Sequence, residues 1–146
     1  MTVGDPATVV DRFIRAIVWG EHVTVWEILS EAGREHVLEA GSRRGLDPLQ
    51  AQRIRQGTSP QEELDVFLTG LLHGLRVDFA AVSLADVRAS NPADPVAVDA
   101  VDAVEVSLSC PATFGEGSWA AGSIVLSRVE DAWRIDRVHP LVSRSE

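Results

Sequence analysis

The first half of the chain carries apolar residues at the spacing of α-helices. The pair Asp5-Pro6 is a favourable helix start, because a carboxylate caps free backbone N–H groups and proline suits the first helical position. We predict a helix from there to Gly20, with one apolar face. That face consists of Val9, Val10, Phe13, Ile14, Ile17 and Val18.

Three shorter helices are predicted next, each bounded by glycine or proline. The first follows Gly20 and is expected to point Val23, Trp26 and Leu29 inward. The other two are predicted over Gly33 to Arg44 and over Pro48 to Gln56, with Gly45 and Gly57 as their boundaries.

The most regular helical pattern in the chain is rich in leucine. Ser59-Pro60-Gln61-Glu62 offers a capping box with proline in the first turn. The apolar positions after it follow the i, i+3, i+4, i+7 spacing of a helix with one buried face. They are Leu64, Phe67, Leu68, Leu71, Leu72 and Leu75.

After Arg76 the apolar residues recur at every second position, which is typical of β-strands. We predict a bent strand over Val77 to Leu84, a turn at Asn91 to Pro95 and a second strand that ends at Pro111. The inner face of that second strand is predicted to be Val96, Val98, Ala100, Val104, Val106 and Leu108. Two more strands are predicted, from Trp119 to Val129 and from Trp133 to Val138, joined by a turn at Glu130-Asp131.

Helices followed by a series of strands predict an α+β fold. In this fold the N-terminal helices pack on a curved, mainly antiparallel C-terminal sheet, within a single domain over residues 1–146. No apolar run approaches the roughly 20 residues that span a bilayer, and the start of the chain does not resemble a signal peptide. We therefore expect a cytoplasmic protein without membrane contact.

The composition restricts the chemistry of the chain. A net charge of −9 argues against nucleic-acid binding. All 13 basic residues are arginine, so Schiff-base chemistry and a lysine-bearing phosphate loop are excluded. Cys110 is the only cysteine and is interpreted as a buried apolar side chain. The four histidines have no metal-binding spacing, so neither a metal nor another cofactor is expected.

The order of elements resembles the NTF2-like superfamily, also called the SnoaL-like or cystatin-like α+β cone. The resemblance rests on the opening amphipathic helix, the short helix that contains Trp26, and the long strands of the second half. It also rests on the ending from Val129 to Val138, which looks like the terminal hairpin of such domains.

The resemblance implies a conical pocket between sheet and helices, and a homodimer formed through the outer sheet face. The leading hypothesis is a non-catalytic module whose apolar pocket holds a small hydrophobic ligand. Its candidate ligand-binding residues are His22, Trp26, Phe67 and Trp119.

An enzyme of the SnoaL or epoxide-hydrolase kind is the first alternative. Asp102 lies on an apolar strand face, where burial would raise its pKa and suit it to act as a general base. A register slip of one residue would instead turn Asp102 outward. The chain has no tyrosine to bind an oxyanion. Arg134 and Asp136 could complete an Asp-Arg-Asp set, but alternation with Trp133 and Ile135 predicts that both point outward as a surface pair.

A protein-interaction module is the second alternative. The segment Gly33 to Gly57 contains five arginines against three acidic residues in an otherwise acidic chain. Arg43 and Arg44 are its candidate partner-binding residues. A charge-dense pair of solvated helices accounts for the same residues.

Overall fold

The computed structural model describes residues 5–79, 84–90, 103–111, 118–130 and 132–140. Within these ranges, five α-helices come first, and one curved antiparallel sheet with the strand order β1-β2-β3-β4 follows them. The helices are α1 (Pro6–Trp19), α2 (His22–Ile28), α3 (Glu31–Arg43), α4 (Pro48–Gln56) and α5 (Gln61–Asp78). The strands are β1 (Arg88–Ser90), β2 (Ala103–Pro111), β3 (Ser118–Val129) and β4 (Ala132–Pro140). The predicted α+β fold is confirmed.

Two helices begin at an aspartate-proline pair; the pair at Asp5-Pro6 was predicted, and for the other helix only its start at Pro48 was predicted. The Asp5 carboxylate accepts a hydrogen bond of 3.0 Å from the backbone N–H of Thr8 at the start of α1. Asp47 accepts in the same way from Leu49 at the start of α4. Helix α1 ends at Gly20, whose φ of 78° is the left-handed conformation that glycine adopts without strain.

Two details of the shorter helices differ from the predictions. Helix α3 begins at Glu31, because the Ser30 hydroxyl accepts from the backbone N–H of Gly33 and caps the helix there. In α2 the inward face carries Val25 and Ile28, whereas Val23 is 43% exposed. Placing Val23 inward was wrong, because residues two positions apart face different sides of a helix.

Helix α5 begins and ends differently from its prediction. Its N-cap is Pro60, and no side chain of the described residues caps the helix, so the predicted capping box is wrong. The helix continues to Asp78, so the strand predicted from Val77 is also wrong. The Arg76 side chain supports this last turn by donating hydrogen bonds of 2.9 and 3.1 Å to the carbonyl of Ile17 at the end of α1. Residues 80–83 lie outside the described part, and Leu84 belongs to a 3-10 helix.

The strands β2, β3 and β4 are present as predicted, and the alternation predicted in β2 and β4 matches their buried residues. One face of the sheet is buried against the helices, and adjacent inward residues pair across strands, as Val106 pairs with Ile124. The buried residues of this face are Val104, Val106, Leu108, Ala121, Ile124, Leu126, Trp133 and Ile135. The predicted part of the second strand before Ala103 lies outside the described residues.

The end of α2 is tied to the last strand. Leu29 forms an isolated parallel bridge with Ile135, and the backbone N–H of Ser30 donates a 2.8 Å hydrogen bond to the Ile135 carbonyl. Helix α3 therefore starts against β4, and Gly33 contacts the same carbonyl oxygen. Within the described ranges, no helix combines the length and the apolar character needed to cross a membrane.

Candidate functional site: a cavity between α3, α5 and β4

A cavity of about 520 Å³ lies between α3, α5 and the end of β4. Its inner wall is apolar and includes the buried side chains of Phe13, Leu29, Leu75 and Ile135. Its outer part reaches solvent near Val66, which is 73% exposed. The cavity therefore combines an apolar interior with an open side.

Glycines in the two flanking helices create much of this space. A β-carbon added at Gly70 of α5 would meet no atom within 4 Å. One turn later, a β-carbon at Gly74 would lie 3.8 Å from Nη1 of Arg44. Gly41 of α3 allows close packing, since its β-carbon would lie 3.1 Å from Cδ2 of Leu46. Glycine at these positions keeps the space between α3 and α5 open.

An aromatic contact holds one wall of the cavity. Phe67 lines the cavity and meets the Trp26 ring edge-on, with ring centroids 5.8 Å apart. The guanidinium of Arg34 covers the Trp26 ring at 5.0 Å. Burial lowers the pKa of Arg34, and the nearby charge of Arg134 lowers it further. Trp26 therefore packs against Phe67 but does not line the cavity itself.

Charged side chains border the cavity at several points. The side chain of Arg44 forms no hydrogen bond or ion pair with any residue that the structure describes, and it lies beside Gly74. Arg137 donates from Nε to Nε2 of His36 at 3.0 Å, and both residues border the cavity. The acidic residues at its border are Asp78 and Asp136. The open side is therefore polar and the interior apolar.

The carboxylate of Asp136 is held by serine hydroxyls. Ser30 donates a short hydrogen bond to Oδ1 of Asp136, and Ser127 donates a second one of 2.9 Å to the same oxygen. Arg134 donates instead to the backbone carbonyl of Glu27 at 2.7 Å. The predicted outward surface pair of Arg134 and Asp136 is wrong. Both are half-buried, because α2 and α3 cover this edge of β4 and supply their partners.

The remaining candidates from the sequence lie in different places. Of the ligand-binding candidates, His22 lies away from the cavity with Nε2 3.4 Å from the Asp65 carboxylate. Of the partner-binding candidates, Arg43 is exposed and lies 3.9 Å from Glu39 one turn earlier, whereas Arg44 borders the cavity.

Two candidates cannot be placed at the site. Asp102, the candidate general base, lies outside the described residues. The backbone of Trp119 pairs with Cys110 in the sheet, but its side chain is not among those described. Among the described residues, no three histidine, cysteine or acidic side chains are grouped so that they could hold a metal ion.

Comparisons with known proteins do not assign a family to the chain. Nothing matches the chain among protein-family models, curated proteins or solved structures. The resemblance to the NTF2-like superfamily therefore stays a prediction.

Sequence reasoning missed the glycines of the cavity and the position of Arg44 beside them. A signal was present, because Gly70 and Gly74 are four residues apart within the leucine-rich helix and so lie on the same side. Glycine destabilises a helix interior, so a repeated glycine on one side indicates close packing or open space there.

Proposed function

We propose that the chain is a non-catalytic, NTF2-like module that binds a small, mainly apolar molecule in the cavity between α3, α5 and β4. The observation that carries the proposal is the cavity itself, with its volume of about 520 Å³ and its apolar inner wall. Sites for small molecules have volumes of about 300 to 1,000 Å³ and are lined by apolar side chains with a few polar groups.

The energetic reason is the transfer of apolar surface out of water. A ligand that covers Val37, Phe67 and Leu71, which line the cavity and are only partly buried, would remove apolar surface from solvent, at about 25 cal/mol for each Å². The glycines at positions 70 and 74 maintain the space at a cost in helix stability, which supports a role for the space itself.

The test is a variant that fills the cavity without unfolding the protein. Gly70→Leu places a side chain into open space, and leucine also favours the helix more than glycine does. His73→Leu is the matched control, because His73 is exposed on the same helix and does not border the cavity. Binding is measured as the fluorescence gain of the neutral dye Nile red with each purified protein.

We expect the natural chain and His73→Leu to bind the dye with the same affinity, and Gly70→Leu to lose at least about tenfold, or 1.4 kcal/mol. Circular dichroism and urea unfolding establish that Gly70→Leu remains folded. Equal binding by all three proteins would contradict the proposal, because the dye would then bind elsewhere.

A further inference from the structure

We propose that the ligand of this cavity is an anionic amphiphile, a carboxylate with an apolar chain, and that Arg44 binds its carboxylate. This inference rests on the proposed ligand-binding function and specifies the chemistry of that ligand. Its basis is the position of a free guanidinium at the border of an apolar cavity.

Arg44 is available for such a contact. It follows the last residue of α3, and its Nη1 lies 3.8 Å from the position that a β-carbon on Gly74 would take. Within the part of the chain that the structure describes, no carboxylate or carbonyl accepts a hydrogen bond from its guanidinium. A guanidinium carries five N–H donors in a planar arrangement that matches the two oxygens of a carboxylate.

Arg137 adds a second positive charge at the same cavity. Only its Nε is engaged, in the 3.0 Å hydrogen bond to Nε2 of His36. Its two terminal nitrogens have no acceptor among the described residues. The partner of Arg137 is an imidazole nitrogen, which accepts this hydrogen bond through a lone pair and brings no negative charge. The positive charge of Arg137 is therefore not compensated by that contact.

The two bordering carboxylates are placed differently. Asp136 already accepts from the hydroxyls of Ser30 and Ser127 through one oxygen, at the edge of β4. Asp78 lies at the end of α5, one turn beyond Gly74, and is exposed. A ligand with an amine in place of the carboxylate would have Asp78 and the second carboxylate oxygen of Asp136, Oδ2, as its acidic partners among these residues. Whether the cavity binds an anionic or a cationic head group more tightly therefore tests Arg44 against Asp78 and Asp136 as the partner of that head group.

The experiment compares three ligands that differ only in the head group. Octanoate, octanol and octylamine are titrated into the full chain by isothermal titration calorimetry at neutral pH. A charge-assisted hydrogen bond contributes enough to distinguish octanoate from octanol by about tenfold. Hexanoate serves as a length control, since each methylene removed from water changes affinity by about fourfold.

A matched pair of variants locates the head group. In Arg44→Gln, octanoate is expected to bind no more tightly than octanol. In Arg43→Gln, octanoate keeps its preference, because Arg43 is exposed, faces Glu39 and does not border the cavity. Both variants change one arginine of the same helix end, so a general effect of lost charge would appear in both.

Each outcome decides between the two proposals. Equal affinity of octanoate and octanol, or tighter binding of octylamine, overturns the carboxylate inference and leaves the ligand-binding function in place. Equal loss in Arg43→Gln and Arg44→Gln also overturns the inference. Absence of binding by all three compounds, together with dye binding that Gly70→Leu does not change, overturns the proposed function as well.

Discussion

Gly33 lies against the backbone carbonyl oxygen of Ile135 so closely that a β-carbon cannot fit between them. Gly33 lies in the first turn of α3, with a helical neighbour on each side, so its backbone conformation does not require glycine. Glycine is needed here for its small size. The contact lets α3 begin directly at β4, beside the bridge of Leu29 with Ile135. It therefore fixes one wall of the cavity.

Gly33→Ala is expected to destabilise the protein by about 1 to 3 kcal/mol, as is typical when a group is forced into a packed site. The backbone of either α3 or β4 must move, because the obstructing atom is a carbonyl oxygen and not a flexible side chain. The free energy of unfolding in urea measures the effect. Gly70→Ala is the control and should instead stabilise by about 0.5 to 1 kcal/mol, since its β-carbon meets nothing. A stabilised Gly33→Ala variant would refute the packing argument.

Ser30→Ala should cost about 1 to 3 kcal/mol of stability. The substitution removes the cap on the Gly33 N–H and one of the two hydroxyl donors to Asp136. Ser127→Ala removes only the other donor, so its loss in urea unfolding should be smaller. Equal losses in the two variants would show that the cap of α3 contributes nothing.

The thiol of Cys110 is expected to react slowly in the folded protein. Burial raises its pKa, and the negative charge of Asp86 raises it further. The reactive thiolate is therefore a small fraction at about pH 8. Labelling with Ellman's reagent should be much faster in urea than in native buffer. Equal rates in the two conditions would place the thiol at the surface.

The pair of Glu35 and Arg55 predicts a specific pH dependence. Arg55 donates to both carboxylate oxygens at 2.5 and 3.2 Å, and these hydrogen bonds lower the pKa of Glu35 below its usual value of 4.5. A lowered pKa in the folded state stabilises the protein above that usual value, and the contribution is lost as pH falls through the folded pKa. Glu35→Gln should therefore have a lower free energy of unfolding than the natural chain at neutral pH. In acid the two free energies should become equal.

Urea unfolding at pH 7 and at about pH 3 measures the difference between the two proteins. Because the pair is exposed, the difference at neutral pH is expected to be small and to shrink further in salt. Glu39→Gln provides the comparison, since its carboxylate lies 3.9 Å from Arg43. If the difference in unfolding free energy between Glu35→Gln and the natural chain stayed constant with pH, the Glu35–Arg55 pair would not be its cause.

The homodimer implied by the NTF2-like resemblance is expected to be weak. The outer sheet face carries exposed Glu105 and Ser107, with Ser123 donating a 2.7 Å hydrogen bond to Glu105. Obligate interfaces are more apolar than this face. Sedimentation velocity should therefore detect dimers only at high micromolar concentration, and Val125→Arg should remove them. A single monomeric species over the whole range would end this prediction.

The parts of the fold that the sequence predicts are those with local signals. Asp5-Pro6 fixes the start of α1, and Pro48 marks that of α4, because helix starts depend on residues that are close in the chain. The alternation in β2 and β4 identifies their buried face for the same reason. The end of α5 was missed because Arg76 stabilises it through the Ile17 carbonyl, 59 residues away, which no local pattern contains.

The cavity could not be predicted, since it depends on how α3 and α5 face each other. Apolar spacing assigns Phe67 to the inner side of a helix, but it does not distinguish a side chain packed in the core from one at the wall of a cavity. The cavity is recognised only from the three-dimensional arrangement, in which Gly70 and Gly74 lie close to Arg44.

The contact of Ser30 with Asp136 joins residues 106 positions apart. The start of α3 thus depends on a strand that is synthesised only after all of the helices α1 to α5. Contacts of such high sequence separation form late and slow the folding of a chain. Until β4 is synthesised, the helices expose leucine side chains. The nascent protein is therefore a candidate for chaperone binding during synthesis.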